Sequence, residues 1–114
     1  MKPSIPATDI LAEFVSEHAY SDLPDTVVHK AKLWFLDAIG CGLGGSQSQL
    51  AKTAVEALSQ ISTGNAKVVG QSVDVSIGTA AFLNAMSINA LDYDDSSSGG
   101  HVSSTLVGTL LAML

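Results

Sequence analysis

Residues 75–91 constrain the fold most. Ile77, Ala80, Ala81, Phe82, Ala85, Met86, Ile88, Ala90 and Leu91 give this stretch apolar groups on most sides of a helix. A helix without a polar face needs neighbours all round it, so it belongs at the centre of the fold. Other segments carry helical periodicity and can surround it. The expected fold class is therefore all-α, about five helices with one short β-like hairpin.

The surrounding segments read as follows. Residues 7–18 set Ile10, Leu11, Phe14 and Val15 on one face and Glu13 and Glu17 on the other, an amphipathic helix. Ser21-Asp22-Leu23-Pro24-Asp25 is a helix start, with a cap acceptor, an early proline and an acid in the first turn. The second helix runs from about Pro24 to Cys41, with Val27, Val28, Ala31, Trp34, Phe35, Ala38 and Ile39 as its apolar stripe. Trp34 and Cys41 are expected in the core, and His18 and His29 on the surface. Gly40, Gly42, Gly44 and Gly45 end this helix or admit a second backbone. They follow a helix rather than a strand and lack Gly-Lys-Ser/Thr, so they are no phosphate loop. Ser46 or Ser48 can cap a third helix over about 48–61, and Thr63-Gly64-Asn65 is a turn. Residues 66–73 form the β-like stretch, split by Gly70. Asp74 can cap the fourth helix, over 75–91, and a fifth starts near Val102.

Charge narrows the possible partners. Among 114 residues, 14% are charged, the net charge is −6, and all five basic residues are lysines. Nucleic acid is not expected, because phosphate binding needs clustered Lys and Arg. A surface so poor in charge suggests that much of it is covered. The lone Cys41 excludes an internal disulfide and any cysteine-built metal or iron–sulfur site from this chain. The apolar runs at 33–45 and 102–114 are too short to span a bilayer. The N-terminus lacks an apolar signal core, so a cytoplasmic location is expected. The last run stops without Gly, Pro or a closing Lys, which reads as the N-terminal piece of a longer protein.

Reactive groups concentrate between the fourth and fifth helices. Asp92, Asp94 and Asp95 fall within four residues, and a Ser/Gly loop leads on to His101. Asp92 follows a buried helix, so it is expected at the bottom of a cleft. Three close acids repel one another, and partial burial should raise the pKa of at least one. Such a carboxyl can take and return a proton near neutral pH. His101 can donate to an anion or act as acid or base. The free N–H groups of the fifth helix, with Ser103, Ser104 and Thr105, offer a seat for a carboxylate, and no arginine is present to clamp one. Gly99 and Gly100 let backbone approach a ligand. The plainer readings are a helix-closing Asp92, solvated turn acids and an unpartnered His101. A metal site built from the same four residues is a further alternative, but the spacing fits no calcium loop, lacking the later Gly and Glu.

Leu36-Asp-Ala-Ile-Gly-Cys-Gly-Leu-Gly-Gly45, Val69-Gly70, Ala80-Ala-Phe-Leu-Asn-Ala85, Ala90-Leu-Asp-Tyr-Asp-Asp-Ser96 and Gly100-His-Val-Ser103 occur in this order. Together they resemble the N-terminal part of the MmgE/PrpD family, which includes 2-methylcitrate dehydratase, cis-aconitate decarboxylase and related lyases and isomerases. The likeness covers nearly the whole chain, and the Leu-Asp-Tyr-Asp-Asp…Gly-His segment is its specific part. Members run to roughly four times this length, with a large helical domain and a smaller α/β domain. Residues 1–114 would be the N-terminal portion of the helical domain.

The resemblance implies roles at matching positions. Asp92 matches the first acid of the family's D-[FY]-D-D-T segment, and His101 the histidine of its G/T-H-P-S segment; both are the expected catalytic residues. Asp95, Ser96 and Ser103 are the expected substrate-binding residues. Ser96 replaces the family's usual threonine and keeps the hydroxyl. Val102 replaces its proline, which bears on how the fifth helix begins. The implied activity is that of a lyase on a small di- or tricarboxylate such as 2-methylcitrate or cis-aconitate. A proton next to a carboxylate is removed, and water or carbon dioxide leaves, or the proton returns on the other face. The family implies no metal, no cofactor and a homodimer. The alternative is a non-catalytic helical interaction module or an inactive remnant, whose apolar helices would mark a partner surface.

Overall fold

The computed structural model describes residues 6–97 and 99–114. The chain forms two compact units, one up to Ala31 and one from Lys32 onward. Its elements are α1 (Ala7–Glu17), a 3-10 turn (Tyr20–Asp22), α2 (Asp25–Gly45), α3 (Gln49–Ser59), β1 (Ala66–Lys67), β2 (Asp74–Val75), α4 (Ile77–Asn89) and α5 (Val102–Ala112). The five helices and the small hairpin make it a mostly all-α fold, as the periodicity requires.

In the first unit, α1 has the expected amphipathic spacing, yet none of its residues is buried. The Ala19 N–H donates to Asp22 Oδ2 at 2.9 Å, which shapes the turn that leads into α2. His18 and His29 are exposed, as expected.

In the second unit α4 is central. It touches α3, both strands and α5, its largest neighbour. Leu83 and Ile88 are fully buried on it, and each such side chain contributes about 1.5–3 kcal/mol. One core joins Val55, Ala66, Val68, Val75, Ala80, Leu83 and Ala112; a second joins Ala38, Ile88 and Val107. The strands pair antiparallel, Ala66 with Val75 and Lys67 with Asp74. Buried Asn84 ties this hairpin to the helices. Its Oδ1 accepts from the Val69 N–H at 2.8 Å, and its Nδ2 donates to Lys67 O and Gly108 O at 3.3 and 3.5 Å.

Small residues let the helices approach. A Cβ on Gly108 would lie 2.6 Å from the Ala85 backbone nitrogen, and one on Gly45 would collide with the Ser87 carbonyl oxygen. This explains one departure from the sequence reading: α2 continues past Cys41 through the glycines to Gly45. Glycine weakens a helix by about 1 kcal/mol per residue, but close packing of buried Gly42 and Gly45 against Ile88 and Ser87 offsets that. The start of α4 also differs. Ser76, not Asp74, caps it by accepting from the Thr79 N–H, while Asp74 pairs with Lys67 in the hairpin. Trp34, expected in the core, is 56% exposed, because the buried side of this helix passes through Ala38 and Gly42 instead. Large apolar side chains remain exposed on every helix of this unit, among them Leu36, Leu50, Phe82 and Leu106.

Candidate functional site

The last turn of α4 sets up the site. The Asp92 N–H donates to Asn89 O at 2.9 Å, and Asp92 takes a left-handed φ of 55°. Aspartate tolerates this conformation better than most side chains. The chain then leaves the helix, and the next acids part company. Asp94 turns inward and its side chain is wholly enclosed. Asp95 turns toward α5 and accepts the Ser103 N–H at 2.9 Å. Ser97 and Gly100 exchange backbone hydrogen bonds of 3.1 and 3.0 Å, with Gly100 at φ 94°. This narrow loop returns the chain to His101, immediately before α5.

His101 lies between two carboxylates. Its Nδ1 is 3.2 Å from Asp94 Oδ1, and its Nε2 is 3.5 Å from Asp92 Oδ1. The Asp92 side chain is 83% exposed and that of His101 35% exposed. Asn89 Nδ2 donates to the same Asp94 Oδ1 at 3.2 Å. Asp94 Oδ2 is buried without a hydrogen-bond partner among the described residues. The backbone on the α5 side is held by the Ser104 hydroxyl, which donates to His101 O at 2.8 Å. Val102 therefore starts the helix without the proline found in the family's motif.

Two expectations change here. Asp92 does not lie at the bottom of a cleft; the enclosed acid is Asp94, two residues on. The carboxylate seat at the start of α5 is filled from within the chain, because Asp95 accepts the Ser103 N–H. Ser103's hydrogen bonds hold the Asp95 carboxyl below the usual carboxylate range. Of the expected residues, Asp92 and His101 converge, and Asp95 and Ser103 bind each other. Ser96 is exposed beside them.

Asp94 was read only as a member of the acid cluster, with no catalytic or binding role of its own, and Asn89 escaped the sequence reading. In non-helical backbone, alternate residues tend to face the same way. That spacing groups Asp94 with Asp92 and sets Asp95 apart, a signal present in the Asp-Tyr-Asp-Asp run.

A cavity of about 460 Å³, open to solvent, adjoins the acid turn. Asp37, Gly40, Cys41, Gly44, Leu91 and Tyr93 line it. Leu91 and Tyr93 flank Asp92 in sequence, but neither Asp92 nor His101 is in the lining. Burial pushes the Cys41 thiol above its ordinary pKa, and the charges of Asp37 and Asp94 add to the rise.

Ligand atoms of Asp92, Asp94 and His101 lie within 4.8 Å of one another, so a cation is a conceivable occupant. The two carboxylates, however, meet opposite ring nitrogens. An imidazole presents one in-plane lone pair to a metal, so all three groups cannot bind one ion in this arrangement. The geometry suits proton transfer: an acceptor or donor nitrogen, an exposed acid beside it and an enclosed acid behind.

Comparison with known proteins agrees with these motifs. Residues 9–114 match the MmgE/PrpD N-terminal domain. The chain is 34% identical over 115 residues to the cis-aconitate decarboxylase-like protein oryM of Aspergillus oryzae, a match covering 96% of this chain and 24% of that protein. The chain thus spans about a quarter of that relative's length. No solved structure matches it. With nearly its whole length matched and the acid turn and histidine brought together, the chain belongs to the MmgE/PrpD family.

Proposed function

We propose that this chain is the N-terminal part of a lyase's helical domain and carries half of its active site. The substrate is a small di- or tricarboxylate. In a dehydration a proton next to a carboxylate is abstracted and the neighbouring hydroxyl leaves as water; in a decarboxylation carbon dioxide leaves and the electron pair it leaves behind takes up a proton, in either case without metal or organic cofactor. His101 and Asp92 are the catalytic pair, with Asp95, Ser96 and Ser103 near the bound carboxylates. The observation that carries the reading is the 3.5 Å approach of His101 Nε2 to the exposed Asp92 carboxylate. It leaves one basic nitrogen and one exposed acid side by side at an accessible surface. Donors around the developing negative charge would complete the site from later parts of the protein.

The relative's printed name makes cis-aconitate the first substrate to try, with 2-methylcitrate and citrate next. A cytoplasmic homodimer fits the same reading. Among the described residues, no helix is long and apolar enough to cross a membrane. The other reading, a non-catalytic interaction module, is favoured by the exposed apolar side chains of α1 and α5.

One experiment separates the two. In the complete protein, Asp92→Asn and His101→Ala should each reduce turnover of an accepted carboxylate at least about a hundredfold. Asparagine suits the left-handed φ at residue 92, so the first variant removes charge and keeps the turn. Near-normal rates in both variants would remove the assignment, and a complete protein inert toward all three acids would favour the interaction module.

A further inference from the structure

We infer that Asp94, held by Asn89, is a positioning residue that fixes His101 in the Nδ1–H tautomer and so presents Nε2 as the basic nitrogen. The inference rests on the proposed catalytic role of His101, and goes beyond it by naming the group that decides which nitrogen acts.

The hydrogen bonds set the direction. Asp94 Oδ1 accepts from Asn89 Nδ2 at 3.2 Å. An oxygen accepting that amide offers lone pairs, not a proton, to its second neighbour. That neighbour is His101 Nδ1, also at 3.2 Å, so Nδ1 must carry the hydrogen. The remaining lone pair of a neutral ring is then on Nε2, the nitrogen facing exposed Asp92.

Burial separates this role from ordinary loop support. The Asp94 side chain has no exposed surface, and its Oδ2 has no partner among the described residues. An enclosed carboxylate with one unsatisfied oxygen is costly to the fold. A neutral acceptor would hold the loop without that burden. A full negative charge gains value when the ring becomes charged: once Nε2 takes a proton from substrate, the imidazolium lies against a fixed anion that water cannot screen. The proton moves from the substrate carbon to Nε2. In a dehydration the electron pair of the broken C–H bond forms the new double bond, the hydroxyl leaves as water with a proton taken up from solvent, and Asp94 itself gains no proton.

The test combines a direct reading of the tautomer with kinetics on the complete protein. Long-range proton–nitrogen correlation on protein labelled with nitrogen-15 histidine distinguishes the two tautomers. The His101 signals are those lost in His101→Gln. The expected result is an Nδ1–H ring in the native protein. In Asp94→Asn, whose amide can donate, the tautomer should reverse. On 2-methylcitrate, citrate or another hydroxy acid that the protein dehydrates, kcat should then fall about a thousandfold with KM changed less than about threefold. Asp94→Glu should restore the native tautomer in part. An Nε2–H ring in the native protein would overturn the inference, as would a native tautomer and native kcat in Asp94→Asn. Should Asp94→Asn fail to fold, Asn89→Ala substitutes for it. Asn89 is exposed on the last turn of α4, and its loss should give mixed tautomers and a drop in kcat of about fivefold. No change in either quantity would also overturn the inference. A protein without turnover on any tested carboxylate would defeat the proposed function, while the tautomer reading would still decide whether Asp94 orients the ring.

Discussion

Among the described residues, Asp95 is the only side-chain cap of α5, and replacing it by alanine removes that cap. His101 precedes the helix but makes no capping bond from its side chain. Asp95, six residues earlier, reaches in and accepts the Ser103 N–H at 2.9 Å. Two effects are lost in the variant. One is the bond to an otherwise free first-turn N–H, for which caps contribute about 1 kcal/mol. The other is a negative charge at the positive end of the helix dipole, about 0.3–1 kcal/mol and reduced where water reaches the group. Together they predict a loss of about 1–1.5 kcal/mol at neutral pH. Asp95→Asn keeps an acceptor and loses the charge, so it should fall between alanine and the native residue.

The pH dependence follows from the direction of the Asp95 shift. Its folded pKa lies below the ordinary value. The extra stability is therefore fully present above the ordinary carboxylate range, about pH 3.9, and disappears as pH falls through the lowered folded value. Urea titrations followed by far-UV circular dichroism, at about pH 7 and about pH 2, measure both quantities. A difference between native and Asp95→Ala under about 0.3 kcal/mol at neutral pH would refute the capping argument. A difference of equal size at both pH values would refute its electrostatic part.

Asn84→Leu should destabilise the protein by about 2 kcal/mol in the same titrations, because the Val69 N–H loses its acceptor inside the fold; a neutral result would mean that water replaces the amide. Cys41 should be alkylated by iodoacetamide more slowly than a small free thiol at neutral pH, since its raised pKa leaves little thiolate. The rate should climb as pH rises past the ordinary thiol range, and Asp37→Asn should accelerate it at neutral pH. Equal reactivity of Cys41 and the free thiol would contradict the burial and charge argument.

The local features were written in the chain. The apolar surround of residues 75–91 identified a central helix, and of Ser46 and Ser48, both read as possible caps, the structure uses Ser48 through its bond with the Ala51 N–H. The loop from Asp92 to His101 was legible as an acid turn feeding a helix. Such features depend on neighbours within a turn or two, so periodicity and capping chemistry report them. Tertiary packing decided the rest. Gly42 and Gly45 stay helical because α4 lies against them, which no local propensity encodes. Trp34 is exposed because the covered side of α2 is fixed by those glycines. Above all, three nearly adjacent acids have three different fates. Asp92 is left in solvent by a left-handed turn, Asp94 is enclosed against His101, and Asp95 is drawn to the start of α5. Their order in the chain is the same whichever one turns inward. The position of α5 beside α4, set by Gly108 against Ala85, determines which carboxylate meets each ring nitrogen of the histidine.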